Sequence, residues 1–190
     1  PPPTAGGVHV IEILNILEQF DVAEFGFGTP DHIHLLAEAF KIAFADRNAS
    51  TGDPDFLDVP VETLISKDYA KRRSAEIDLL HASFLSAGVP SGESANTTHV
   101  TAADADGNTV AMTQSLNNTF GSKVIVQGTG VILNNYMAIF DPHSGMANSV
   151  APGKRSTSSN APTIVQREGL PILAVGLPGG IRIFTSVLQA

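Results

Sequence analysis

With 190 residues, 43% of them hydrophobic and 16% charged, the chain is long enough to bury a core within one unit of mixed class. A formal net charge of -8 argues against nucleic acid and anionic membranes as partners. The absence of cysteine excludes disulfides, thiolate metal sites and cysteine nucleophiles, and no apolar run approaches the roughly 20 residues needed to span a bilayer.

The first half of the chain reads as helical. After an extended Pro- and Gly-rich entry over 1–7, apolar residues at Val8, Ile11, Leu14, Ile16, Leu17 and Phe20 fall close to helical period. A second helix opens at Thr29 as N-cap with Pro30 in the first turn, and its stripe is Ile33, Leu36, Ala37, Phe40 and Phe44. Gly52-Asp53-Pro54-Asp55 reads as a turn. Short helices are expected over 61–65 and 69–77, and the Ser-, Gly-, Ala- and Pro-rich stretch 83–96 as a flexible linker.

The second half changes character. The alternating segments 99–102 and 109–113 flank Asp106-Gly107, a strong hairpin signal. A short apolar strand is expected over 130–134, and a long polar loop over 136–159, the length of which suggests a function. Two further strands, 162–166 and 171–176, meet at Glu168-Gly169. Pro178-Gly179-Gly180 then leads into a helix from about Arg182. Helices first and antiparallel strands second give an α+β architecture. The chain begins Pro1-Pro2-Pro3 and ends in a helical pattern at Ala190, so we expect a piece of a longer protein.

Asn96-Thr97-Thr98-His99 stands where the linker meets the first strand. Cleavage before Thr97 would make it an N-terminal threonine, whose own amine can serve as base for its hydroxyl. Two threonines can equally open a strand for their β-branched shape. Ser115 and Asn117, after the hairpin, could face a site or form a polar turn. Lys154-Arg155 followed by four hydroxyl residues could bind a carboxylate or phosphate, or be a solvated loop. Gly179-Gly180 between a strand and a helix could present N–H groups to an oxyanion, or make a tight turn. No nucleotide-binding glycine pattern occurs. His32 and His34, two apart on a helix, face different sides, so no metal is expected, and no cofactor either.

Taken together, Pro1-Pro2-Pro3-Thr4-Ala5-Gly6-Gly7, Gly52-Asp53-Pro54-Asp55-Phe56, Thr97-Thr98-His99, Asp104-Ala105-Asp106-Gly107-Asn108, Asn134-Asn135, Ser158-Ser159 and Pro178-Gly179-Gly180 resemble the gamma-glutamyltransferase family (gamma-glutamyl transpeptidase, glutathione hydrolase) in order along nearly the whole chain. The resemblance implies the N-terminal nucleophile hydrolase fold, an αββα sandwich represented here in part. It implies that 1–96 is the mostly helical C-terminal part of a large subunit. Residues 97–190 would be the strand-rich N-terminal part of a small subunit, both cut from one precursor between Asn96 and Thr97.

By the same resemblance, Thr97 is the nucleophile and Ser115 supports it, in a position usually held by threonine. Asn117 and the Ser158-Ser159 pair bind substrate, the serines through its α-carboxylate. Gly179 and Gly180 supply the oxyanion hole. The implied substrates are gamma-glutamyl amides such as glutathione, with water or an amino acid as acceptor, and the implied location is periplasmic or secreted. One departure bears on the donor. Where the family carries Gln or Glu and then an acidic residue before a Phe to hold the donor's ammonium, this chain has Tyr136 and Ile139 before Phe140, with Asp141 beyond as a possible substitute. An apolar residue cannot pair with an ammonium, which opens the alternative of a glutaryl-type (cephalosporin) acylase with the same mechanism. An inactive, unprocessed homologue is the remaining alternative. Cut out of its surroundings, the segment would expose apolar edges and be poorly soluble.

Overall fold

The computed structural model describes residues 1–84 and 96–190, so most of the expected linker lies outside the described residues. Helices α1 (Gly7–Leu17), α2 (Val22–Phe25), α3 (Pro30–Ser50), α4 (Val61–Leu64) and α5 (Lys67–Ser74) precede strands β1 (Thr97–Ala103), β2 (Thr109–Ser115), β3 (Thr163–Arg167) and β4 (Leu170–Val175), and α6 (Ile183–Gln189) ends the chain. This is the α+β order read from the sequence.

Helix α1 is buried on most of its surface, with Val8, Val10, Ile13 and Ile16 beside the polar His9, Glu12 and Asn15. It begins on glycine because a Cβ at Gly7 would come within 2.4 Å of the Pro1 backbone. Helix α3 starts as its sequence dictates: the Thr29 side chain accepts the His32 N–H, Pro30 follows, Asp31 lies in the first turn and Arg47 in the last. Its buried face differs from the expected stripe. Leu35, Ala39, Ile42 and Ala43 are buried while Ile33 is exposed, and Leu36, Phe40 and Phe44 are only partly buried. The two alanines explain this, since small side chains let α1 approach closely, and the large aromatic residues pack along the flank. Helix α2 was not foreseen; at four residues it is too short to show a period.

The core joins α1, α3, α5 and α6. Phe184 at its centre is fully buried and meets the Phe44 ring at 4.8 Å and the His9 ring at 6.0 Å. Burying a side chain of that size contributes about 1.5–3 kcal/mol.

β1 and β2 form an antiparallel hairpin in which Thr97 pairs with Ser115. Its turn is held by Asp104, whose Oδ1 accepts the N–H groups of Asp106 and Asn108 at 3.0 and 2.9 Å. β3 and β4 form a second hairpin through Glu168 and Gly169, both at positive φ (52° and 80°), the left-handed pair such a two-residue turn requires. The hairpins approach where Gly176 lies against the His99 ring; a Cβ there would come within 2.3 Å of the imidazole. The strand expected over 130–134 is absent. Residues 124–133 form an irregular arm with a single bridge between Ile125 and Ile132, because Gly128 and Gly130 take positive φ and break extended pairing. The segment 136–159 is irregular as expected, apart from one 3-10 turn at Tyr136–Ile139. No helix among the described residues is long and apolar enough to cross a membrane.

Candidate active site

The β1–β2 register brings the two hydroxyls of Thr97 and Ser115 together. Thr97 Oγ1 donates to Ser115 Oγ at 3.1 Å. Ser115 Oγ also accepts the Asn117 N–H at 2.9 Å and donates to the Asn96 carbonyl at 3.1 Å. A hydroxyl has one proton to give, so these contacts fix its direction: toward the carbonyl of the Asn96–Thr97 bond. The serine thus contacts both the Thr97 hydroxyl and the carbonyl that precedes it.

Asn117 follows in left-handed backbone (φ 72°) and is buried, a conformation that asparagine tolerates better than most residues. Its loop is braced by Asn135, whose Oδ1 accepts the Asn118 N–H at 3.0 Å and whose N–H donates to the Leu116 carbonyl at 3.2 Å. Asn134 Oδ1 accepts the Tyr136 N–H at 2.9 Å. The Asn134-Asn135 pair therefore connects the Asn117 loop to the 3-10 turn.

Thr97, Ser115 and Asn117 line a small polar cavity. Tyr136 and Ile139 form a second wall, Ser158, Ser159 and Asn160 a third, and Gly180 with Ile183 the fourth. Gly180 lies at the cavity surface; Gly179, at φ 142°, sits one residue outside that lining. Thr97, Ser115, Asn117, Tyr136, Ser158, Ser159 and Gly180 thus meet here, Asn96 reaches the site through its carbonyl, and Asp141, Lys154 and Arg155 lie outside the lining. A larger open cleft lies beyond Thr97, walled by Thr98, Gln114, Leu116, Asn118 and Phe120.

The serine pair is held by parts of the chain far away in sequence. Ser158 N–H donates to the Thr4 carbonyl at 2.8 Å and Gly6 N–H to the Asn160 carbonyl at 3.0 Å. A Cβ at Gly6 would sit 3.0 Å from the Ser159 carbonyl oxygen and 3.2 Å from Phe184 Cβ, so the close approach requires glycine. From the other side, Asp53 accepts the Arg155 backbone N–H at 2.7 Å and its Nε–H at 3.0 Å. Asp55 accepts from the same guanidinium at 2.7 Å. The Arg155 guanidinium and the backbone donors on Asp53 hold its carboxyl well below the usual carboxylate range. Gly52 permits this clamp, since a Cβ there would strike the Ala147 carbonyl at 2.4 Å. Lys154 donates to that carbonyl at 2.9 Å and lies 5.7 Å from the centre of the Phe56 ring. The cationic pair, which the sequence left open as an anion site or a solvated loop, is thus engaged in fixing the loop.

Behind the cavity lies a buried polar group. His9 Nδ1 shares a hydrogen bond with Glu12 Oε2 at 2.7 Å, and its Nε2 one with Thr51 Oγ1 at 3.0 Å. Burial, and then the charge of Arg47, lower the His9 imidazole to about 4. Burial, with Asp46 alongside, raises the Glu12 carboxyl to about 9. At neutral pH both are uncharged. Asp46 itself accepts from Tyr69 at 2.8 Å and from Arg73 at 3.1 Å. Among the described residues no group of three or more acidic or histidine side chains could hold a metal; His32 accepts from Gly28 N–H and His34 meets the Asp78 carbonyl.

The roles of Asp53, Asn135, Asn160 and Arg47 were not drawn from the sequence. The first two lay inside quoted motifs, which was the available signal; Arg47 and Asn160 carried none.

A threonine opening a strand of an α+β structure, with a hydroxyl partner on the paired strand and a polar cavity before it, is the arrangement of the N-terminal nucleophile hydrolases. Comparison with known proteins narrows this. The family model described as gamma-glutamyltranspeptidase matches residues 1–190, and the chain belongs to that family. It is 55% identical over 190 residues to the acylase ACY 1 proenzyme of Pseudomonas sp. (strain SE83), covering 100% of this chain and 34% of that one. It is 45% identical over 203 residues to the glutathione hydrolase proenzyme of Escherichia coli (strain K12), covering 100% and 35%. The crystal structure of cephalosporin acylase from Bacillus halodurans superposes with a TM-score of 0.85 at 32% identity, covering 99% of this chain and 33% of that one. The chain thus spans about a third of the length of these relatives.

Proposed function

We propose that the chain is the catalytic junction of a self-cleaving N-terminal threonine amidase and acyltransferase, with 1–96 ending the large subunit and 97–190 beginning the small one. The observation that carries this reading is the Thr97–Ser115–Asn96 hydrogen-bond chain at the mouth of the cavity. In self-cleavage, Thr97 Oγ attacks the Asn96 carbonyl carbon while Ser115 donates to the carbonyl oxygen. The C–N bond breaks, the hydroxyl proton passes to the departing nitrogen, and an ester remains. Water hydrolyses the ester, leaving Asn96 as a carboxylate and Thr97 with a free amine.

The same hydroxyl, with that amine as base, then attacks a substrate amide. The acyl chain enters the cavity, where Ser158 and Ser159 take its terminal carboxylate and Asn117 a further polar group. The N–H groups of Gly179 and Gly180 receive the oxyanion. The amine leaves by the open cleft, through which water or an amino acid arrives. One precursor supplies both subunits, and no cofactor takes part.

One wall of the cavity bears on the donor. A gamma-glutamyl group carries an ammonium beside its carboxylate; a glutaryl group does not. Ile139 is buried at the cavity, and the nearby Asp141 carboxylate accepts from His143 N–H and shares a bond with its ring, at 2.9 and 2.8 Å. Burying an ammonium against isoleucine without a partner is costly. Gamma-glutamyl amides such as glutathione are the substrates that the family suggests. The glutaryl-type reading is favoured by this wall and by the 55% identity to a protein named as an acylase. Turnover of gamma-glutamyl and glutaryl anilides by the full-length protein separates the two. The wall predicts preference for glutaryl, and Ile139→Asp should shift preference toward gamma-glutamyl by about tenfold or more. Strong gamma-glutamyl preference in the unaltered protein would overturn the glutaryl reading.

A further inference from the structure

His99 stands two residues past Thr97 on β1, so both side chains are on one face of the strand, with Thr113 opposite His99 as Ser115 is opposite Thr97. Its ring is fixed at both ends: Nδ1 shares a hydrogen bond with Thr113 Oγ1 at 2.9 Å, and Nε2 one with Thr101 Oγ1 at 3.0 Å. The ring lies against Gly176, where an added Cβ would come within 2.3 Å of both Nδ1 and Cε1 and 3.0 Å of Cγ, its three nearest contacts outside the adjoining residues. Gly176 does not take positive φ, so its backbone would accept alanine, and it is the ring that excludes a side chain. On either side of it, Val175 and Leu177 pack against the helical core. The chain at 175–177 is thus held between that core and the imidazole. Gly179 and Gly180 follow directly, and α6 fastens the far end of the segment through the buried Ile183 and Phe184.

Resting on the proposed function above, we infer that His99 is a positioning residue for the oxyanion donors: its imidazole is the spacer that sets how far the segment carrying Gly179 and Gly180 stands from the strand carrying Thr97. Two properties follow. In self-cleavage the attacking hydroxyl, the carbonyl and the donor to that carbonyl belong to Thr97, Asn96 and Ser115, all on the first hairpin or beside it, so the spacer has no part in that step. In substrate turnover the oxyanion must reach N–H groups beyond the second hairpin, so the spacer acts on the transition state.

The test uses the full-length protein and the anilide, glutaryl or gamma-glutamyl, that the unaltered enzyme turns over faster. His99→Ala should lower kcat and kcat/KM together by about tenfold or more, while KM and the self-cleavage rate of the freshly made precursor, followed by mass, each stay within about twofold. Gly176→Ala should lower kcat likewise, because the new methyl group displaces the ring. In the His99→Ala background the same methyl group no longer meets the ring, so the double variant should be no slower than His99→Ala alone. His99→Ala empties space rather than filling it, so the comparison of turnover with self-cleavage stands even where Gly176→Ala fails to fold. Self-cleavage slowed as much as turnover, a rise in KM in place of the fall in kcat, or additive losses in the double variant would each overturn the inference. If the unaltered protein neither cleaves itself nor turns over either anilide, it is the proposed function that fails; an active enzyme indifferent to His99→Ala sinks this inference alone.

Discussion

Two buried carboxyl groups in the first half of the chain have opposite fates. Asp53, in the turn after α3, is ionised because a guanidinium and backbone N–H groups meet it. Glu12, on α1, is protonated because burial dominates and its nearest charged neighbour is Asp46. Neither is at the cavity surface. The first holds the loop that carries Ser158 and Ser159; the second completes a neutral contact inside the helical core. Burial alone therefore does not predict what a carboxyl does: its nearest partner sets the charge, and the charge sets which part of the fold it can fasten.

Exchanging each carboxyl for its amide is the sharpest way to break the comparison. Asp53→Asn leaves Arg155 without its main acceptor and frees the loop. It should lower the melting temperature and raise KM for a carboxylate-bearing donor by about tenfold or more. Steady-state kinetics with thermal melting of the full-length protein checks this, and a silent Asp53→Asn would remove the clamp from the account.

Gly6→Ala should have an intermediate effect. The new methyl group would be 3.0 Å from the Ser159 carbonyl, so the serine segment must shift by a few tenths of an ångström. We expect a raised KM with a near-normal melting temperature; unchanged kinetics would show that the contact is not tight.

The smallest effect belongs to Glu12→Gln, because glutamine resembles the protonated acid. At neutral pH the variant should melt within a few degrees of the unaltered protein. The pH dependence discriminates further. Glu12 rises from 4.5 to about 9 on folding, so its contribution is full below about 4.5 and is lost as pH rises through about 9. His9 falls from 6.5 to about 4, so its contribution is full above about 6.5 and is lost as pH falls through about 4. The two oppose one another between 4.5 and 6.5. From there to about 9 Glu12 acts alone, with a slope of up to roughly 1.4 kcal/mol per pH unit. Denaturant unfolding across that range should show stability falling with pH, and the slope should flatten in Glu12→Gln. Equal slopes would mean that Glu12 is ionised.

What the sequence made legible was local. Thr29-Pro30 announced a helix start, Asp106-Gly107 and Glu168-Gly169 announced hairpins, and each did so through backbone preferences that neighbours cannot easily override. The cavity residues were legible because family motifs place Thr97, Ser115, Asn117 and the serine pair. The rest depended on long-range contact. Which face of α3 is buried is decided by how closely α1 can approach Ala39 and Ala43. The strand expected over 130–134 failed because positive-φ glycines interrupt its pairing. Lys154 and Arg155 read as either an anion site or a solvated loop, and Asp53, a hundred residues earlier, claims the arginine. Nothing near His99 in sequence points to Gly176.

The central claim is that Thr97 is made into a nucleophile by cleavage before it. N-terminal sequencing and intact mass of the full-length protein, beside its Thr97→Ala variant, test this most directly. The account predicts two pieces in the unaltered protein, the second beginning at Thr97, and one uncut chain in the variant. An uncut chain in both, or cleavage that persists in Thr97→Ala, would contradict it.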